Sequence, residues 1–213
     1  MWLLVACGCV AMLTVGCGVD DRPLSQGSAE IPVCVYDEAV GPGCDTLVAN
    51  PGFEKGISGW KPDMGVLSNW VADDAYASDR SGAIRVLNLL QDSADDLLPG
   101  AAAQCVAVSA GASYDMAGDI FIPEGQHSIQ ADEASAVGAA GLSLLFFPDA
   151  ACADESIGSV DSDMADHAGT WTHVTGTGEA PPETRAVQIR LGTLPAESKR
   201  FEALFDNILL RAR

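Results

Sequence analysis

The sequence predicts an all-β protein, a two-sheet antiparallel β-sandwich of the jelly-roll kind. Three observations carry this. Apolar and polar residues alternate over short runs, as at Val187, Ile189 and Leu191, which is the period of a half-buried strand. Turn formers punctuate the runs, with 22 glycines and 11 prolines in 213 residues, as strand-and-turn folds require. No segment sustains an apolar period of a helix. Gly, Ala and Asp stand where a helical protein would carry Glu, Lys and Leu.

The first segment reads as an address. Residues 1–19 carry no charge, and Trp2–Gly16 is apolar, the length of a secretory h-region and short for a membrane span. It ends in Thr14-Val15-Gly16-Cys17, which resembles the bacterial lipobox. Residues 1–16 are then a lipoprotein signal peptide, and Cys17 is lipidated and becomes the N-terminus. The competing readings are a cleaved signal with a chance cysteine, and Leu4-Val5-Ala6-Cys7, which leaves almost no h-region. Gly18 after Cys17 implies, by resemblance to the lipoprotein sorting rule, the outer membrane; without the lipid the chain is secreted. Residues 17–45 are polar, with Pro23, Pro32 and Pro42, and read as a tether.

The folded domain is expected over 46–213. Candidate strands are Thr46–Ala49, Ala83–Leu87, Gln104–Val108, Tyr114–Ile122, Leu142–Phe147, Thr170–Thr177, the alternation at 187–191 and that at Leu204, Asp206, Ile208 and Leu210. Tyr114, Met116, Gly118, Ile120 and Ile122 fall on one face. Asp206 falls among apolar residues, where a lone carboxylate is costly unless it is paired or binds a metal.

Export changes how the seven cysteines read. With the leader removed and Cys17 assigned to lipid, Cys34, Cys44, Cys105 and Cys152 remain in an oxidising compartment, and four allow three pairings. Cys34 and Cys44 bracket a short Gly/Pro loop and close locally, which leaves Cys105 to join Cys152. Zinc is disfavoured, because there is no CxxC and the three histidines lack ligand spacing.

Several function classes are excluded. Thirty acids against eleven bases give a net charge of −19, which opposes nucleic acid and any membrane contact other than a lipid anchor. There is no GxSxG, Walker loop or Rossmann glycine pattern. The chain is read as not an enzyme, and as a monomer.

The domain opens with Asn50-Pro51-Gly52-Phe53-Glu54-Lys55-Gly56 and Gly59-Trp60. It continues through Ser81-Gly82-Ala83-Ile84-Arg85-Val86 and Trp171-Thr172-His173-Val174-Thr175, and closes with Phe205-Asp206-Asn207-Ile208. That order resembles carbohydrate-binding modules of families four, nine and twenty-two, which are galactose-binding-like β-sandwiches. The resemblance implies a structural calcium held by Gly52 and Gly82 through their backbone and by Glu54 and Asp206, an oxygen set that suits calcium. It also implies a glycan partner.

Trp60 and Trp171 lie in the framework motifs and are expected in the core. Trp70 and Tyr76 lie in the polar segment SNWVADDAY and are the candidate sugar platforms. Asp73 and Asp74 are candidate hydroxyl acceptors and Arg80 a candidate donor. A neutral glycan is the expected class, because the net charge repels acidic polysaccharides. The alternative is a structural or protein-interaction sandwich without a sugar site.

Overall fold

The alternating sequences form strands, and no helix occurs among the described residues. The computed structural model describes residues 36–37, 41–42, 45–63, 65–89, 100–126, 138–195 and 200–213. Cys17, Cys34, Cys44 and nearly all of the signal and tether lie outside the described residues.

The strands are β1 Tyr36–Asp37, β2 Gly41–Pro42, β3 Glu54–Ile57, β4 Lys61–Pro62, β5 Val66–Val71, β6 Ala83–Asn88 and β7 Gly100–Ala107. They continue with β8 Ser113–Phe121, β9 Ala139–Phe147, β10 Gly158–Ala165, β11 Trp171–Glu179, β12 Ala186–Leu194 and β13 Phe201–Ala212. β1 and β2 form a small pair. The other paired strands make two five-stranded antiparallel sheets: sheet I in the order β10-β9-β12-β7-β4, and sheet II in the order β11-β8-β13-β6-β5. This is the expected β-sandwich.

The core fills the space between the sheets. Sheet I contributes Leu142, Leu144, Phe146, Ile189 and Leu191, and sheet II contributes Ile84, Met116, Ile120, Phe205 and Ile208. Trp60 joins this core beside Phe53, with ring centroids 5.8 Å apart. Full burial of such side chains is worth about 1.5–3 kcal/mol each.

Several strands differ from the sequence reading. Thr46–Ala49 is a bent segment rather than a strand. It runs beside β13, where the Leu47 N–H donates to Leu210 O at 2.7 Å. β7 begins at Gly100, ahead of the expected start, because Ala101–Ala103 offers no polar–apolar alternation. β5 and β10 arise where no strand was expected, so Trp70 stands on a strand. Trp171 lies outside the core. It is half-buried at the start of β11, tilted against Phe121 at 5.5 Å.

The last strand corrects the placement of Asp206. Phe205 pairs with Ile120 and Leu210 with Met116, five residues against four, so β13 carries one extra residue. The bulge falls at Asn207, whose φ is +52°. Before the bulge Phe201, Ala203 and Phe205 face the core; after it Ile208 and Leu210 do. Asp206 pairs with Asp119 on the outer face of sheet II. It is fully buried there because another part of the chain covers it.

Cys105 on β7 and Cys152 in the β9–β10 connection are bonded, with Cα atoms 6.1 Å apart. The closed loop spans 47 residues, so the chain-entropy account gives about 4 kcal/mol of stabilisation. Replacing both cysteines by serine lowers unfolding stability by about that amount in urea titration. A loss below 1 kcal/mol contradicts this role.

Candidate functional site

One face of each sheet is committed to the core, and the other faces outward. On sheet I, strand register sets three parallel rows of side chains. Met164, Gly141, Gly192 and Ala101 form one, running β10-β9-β12-β7. Asp161, Ser143, Arg190 and Ala103 form the next, and Ser159, Leu145, Gln188 and Cys105 the third. Among these small residues Gly192 is half-buried, whereas Gly141 lies under Met164 and Ala101 and Ala103 are buried; a glycine within a strand admits close approach of another molecule. A groove of about 590 Å³ crosses this face, and its described lining residues include no aromatic.

The disulfide shapes one end of this groove. Cys105 points outward on β7, two strands and about 10 Å from β9, where the loop starts. The bond therefore draws the 148–157 loop back across β12. Asp149 stiffens the loop by accepting from the N–H groups of Ala151, Ala153 and Asp154, and Ser156 from the same loop lines the groove. Arg190 on the floor is ion-paired with Asp63.

The other sheet holds the residues named from the sequence, in two settings. Trp70 pairs with Ile84 and so takes the core-facing side of β5, at the free edge of the sheet. Its Nε1–H donates to Phe53 O at 2.9 Å. Its ring lies where a Cβ on Gly82 would approach to 2.7 Å, and it is 43 % exposed. Tyr76, 50 % exposed, sits in the loop that covers the outer face. Its hydroxyl pKa is raised by burial and by Asp119 and Asp206. The two rings thus fall on opposite sides of sheet II and do not form one platform. Asp73 and Arg80 are exposed. Asp74 holds the loop together: Oδ1 accepts from Tyr76 N–H and Ser78 N–H, and Oδ2 from the Ser81 hydroxyl.

Beneath this loop lies a buried acidic group. Asp206 accepts from Ala75 N–H at 3.0 Å and Asn207 N–H at 2.7 Å. Burial, above all, pushes its pKa up to about 8, and Asp74 and Asp119 push the same way against those two bonds. Asp119 accepts from the Asn207 side chain and is bonded to His173 Nδ1. The residues expected to hold calcium have the following neighbours. Pro51 O accepts from Ile208 N–H just past the bulge, and Phe53 O is tied through Trp70 to Gly82. Glu54 is half-buried on β3. Among the described residues no cluster of three or more His, Cys, Asp or Glu has metal-holding geometry, so a cation here would need backbone carbonyls as well as Asp206.

No family model matches the sequence, and no curated protein matches it. Solved structures match the fold. The chain aligns over 79 % of its length with the CBM22-1 xylan-binding domain of Paenibacillus barcinonensis Xyn10C, covering 94 % of that chain at TM-score 0.53 and 14 % identity. It aligns over 79 % with the CBM22-1–GH10 modules of Clostridium thermocellum xylanase 10B in complex with xylohexaose, at TM-score 0.53 and 12 % identity. The enzymatically active domain of Bacteriophage CBA120 tailspike protein 4 gives TM-score 0.55 at 12 % identity over 79 % of the chain. The chain spans 29 % of that xylanase chain and 21 % of the tailspike chain. The likeness is one of fold: a carbohydrate-binding-module-like β-sandwich.

Asp206 gives stability a pH dependence. Its folded pKa of about 8 exceeds the ordinary 3.8, so the native state binds the extra proton between those values. Its contribution is complete below the ordinary pKa and is lost as pH rises toward 8. In chelator, urea titrations at steps from pH 4 to 8 should show stability falling, and Asp206→Asn should flatten part of that slope. An unchanged slope in the variant contradicts this assignment.

Proposed function

We propose that this chain is a non-catalytic module of the bacterial cell envelope that binds a neutral polysaccharide in the groove on sheet I. The observation that carries the reading is the groove itself, which lies on the outer face of one sheet of a sandwich whose fold resembles that of a xylan-binding domain. Its polar residues, Ser143, Ser159, Asp161 and Arg190, offer donors and acceptors to hydroxyl groups. Leu145, Leu194 and Met164 offer apolar contact to C–H surface. Such sites bind weakly, with Kd on the order of 10 μM to 1 mM, or about −7 to −4 kcal/mol.

A calcium ion with Asp206, Glu54 and the backbone of Gly52 and Gly82 as ligands fits the acidity around Asp206. It supplies the positive charge that would keep that carboxylate ionised, so added calcium removes Asp206's part of the pH slope described above. The envelope address rests on Cys17. Lipidation there predicts a diacylglyceryl adduct on Cys17 as the N-terminus of the exported protein. Mass spectrometry showing an unmodified N-terminus at another residue contradicts it.

One observation favours a second reading, a protein-interaction or structural module: the groove has no aromatic ring for a sugar to stack on. Affinity electrophoresis of the whole chain against soluble neutral polysaccharides separates the two. Retardation by xylan is expected, with Leu145→Glu weakening it about ten-fold or more and Trp70→Ala leaving it unchanged. Loss in Trp70→Ala alone moves the site to the 70–80 edge of sheet II. No retardation by any neutral polysaccharide supports the second reading.

A further inference from the structure

We infer that the groove on sheet I selects an O-acetylated polysaccharide over the same chain without its esters, an inference that rests on the glycan-binding reading above. The key position is Gly192 on β12. This glycine lies between Gly141 on β9 and Ala101 on β7. A Cβ built on it would meet nothing nearer than Gly141 O at 3.6 Å. Gly141 next to it is different, because Met164 Sδ already occupies the place where its Cβ would stand. The sheet face therefore has an open pit one small group deep above Gly192. Met164 bounds it on one side, the methyl of Ala101 on the other, and Leu194 lies along β12.

The chemistry around the pit fits an ester methyl and its carbonyl. The described walls around Gly192 are apolar and hold no aromatic ring, so they give an unsubstituted pyranose face no flat partner. They give a methyl group a complementary socket. In the next row Ser143 and Arg190 stand side by side on β9 and β12. A hydroxyl and a guanidinium are both donors, and an ester carbonyl is an acceptor without a charge. Arg190 is neutralised by Asp63, and Asp161 adds a further acid to the lining. With the chain at −19 overall, uronate and sulfate are disfavoured, whereas acetylation adds an acceptor and a methyl at no cost in charge.

The test is calorimetric titration of the whole chain with acetylated xylo-oligosaccharides, and with the same preparation after mild alkaline deacetylation. Filling one small apolar pocket is worth about ten-fold or more in affinity. The acetylated ligand should therefore bind about ten-fold tighter. Gly192→Val, which fills the pit at a position with room for a Cβ, should erase the difference, and Trp70→Ala should keep it. Ser143→Ala, which leaves the pit open and removes a donor, should reduce the difference several-fold and carries the test if the valine variant melts early. Equal binding of both ligands, or a preference that survives Gly192→Val in a folded protein, overturns this inference and leaves the glycan-binding reading intact. Binding of neither ligand, nor of any other neutral polysaccharide, overturns that reading and the inference with it.

Discussion

Two sheets that share one core constrain everything else in this molecule. Each strand alternates its side chains, so half of them are committed to the space between the sheets. The other half divide between two outer faces, and the faces have been treated differently. Sheet I keeps its outer face low, with Gly141, Gly192, Ala101 and Ala103 on neighbouring strands. Sheet II covers its own with the loop that Asp74 organises and Asp206 anchors. An open face beside a closed one is what places the binding reading on sheet I.

The bulge in β13 links the core to the covered face. One extra residue at Asn207 lets Phe205 and Ile208 both turn inward. It also leaves Asp206 outward, with its oxygens on two backbone N–H groups and two further acids nearby. A buried carboxylate with acidic neighbours favours either a proton or a cation. Asp115, on the same sheet, is handled by the opposite means. Burial raises its pKa, but hydrogen bonds from Arg213, Arg211 and Thr177 outweigh that and hold it below the usual carboxylate range. The contrast shows where the chain supplies its own positive charge and where it does not.

Much of this fold was legible in the sequence. β8 and β12 announced themselves by alternation, and setting aside the expected leader and lipid cysteine pointed to the bond between Cys105 and Cys152. β5 and β10 were not legible, because each is an edge strand whose exposed polar residues look like a loop. Asp206 was assigned to the wrong face because period-two reasoning cannot see an inserted residue. The groove was invisible for a different reason. Gly141, Gly192, Ala101 and Ser143 carry no chemical signal singly, and only strand register brings them together. Trp70 and Tyr76 drew attention as aromatics in a polar segment, yet one belongs to the inner side of a strand and the other to a loop on the outer side.

The central claim, that the open face of sheet I is where a polysaccharide binds, is tested most directly by mapping backbone amide shifts as a neutral xylo-oligosaccharide is titrated into the isotopically labelled chain. The account predicts perturbations concentrated on β9, β10 and β12 around Ser143, Asp161, Arg190 and Gly192, with 70–82 unaffected. Perturbations confined to 70–82 and the outer face of sheet II would contradict it.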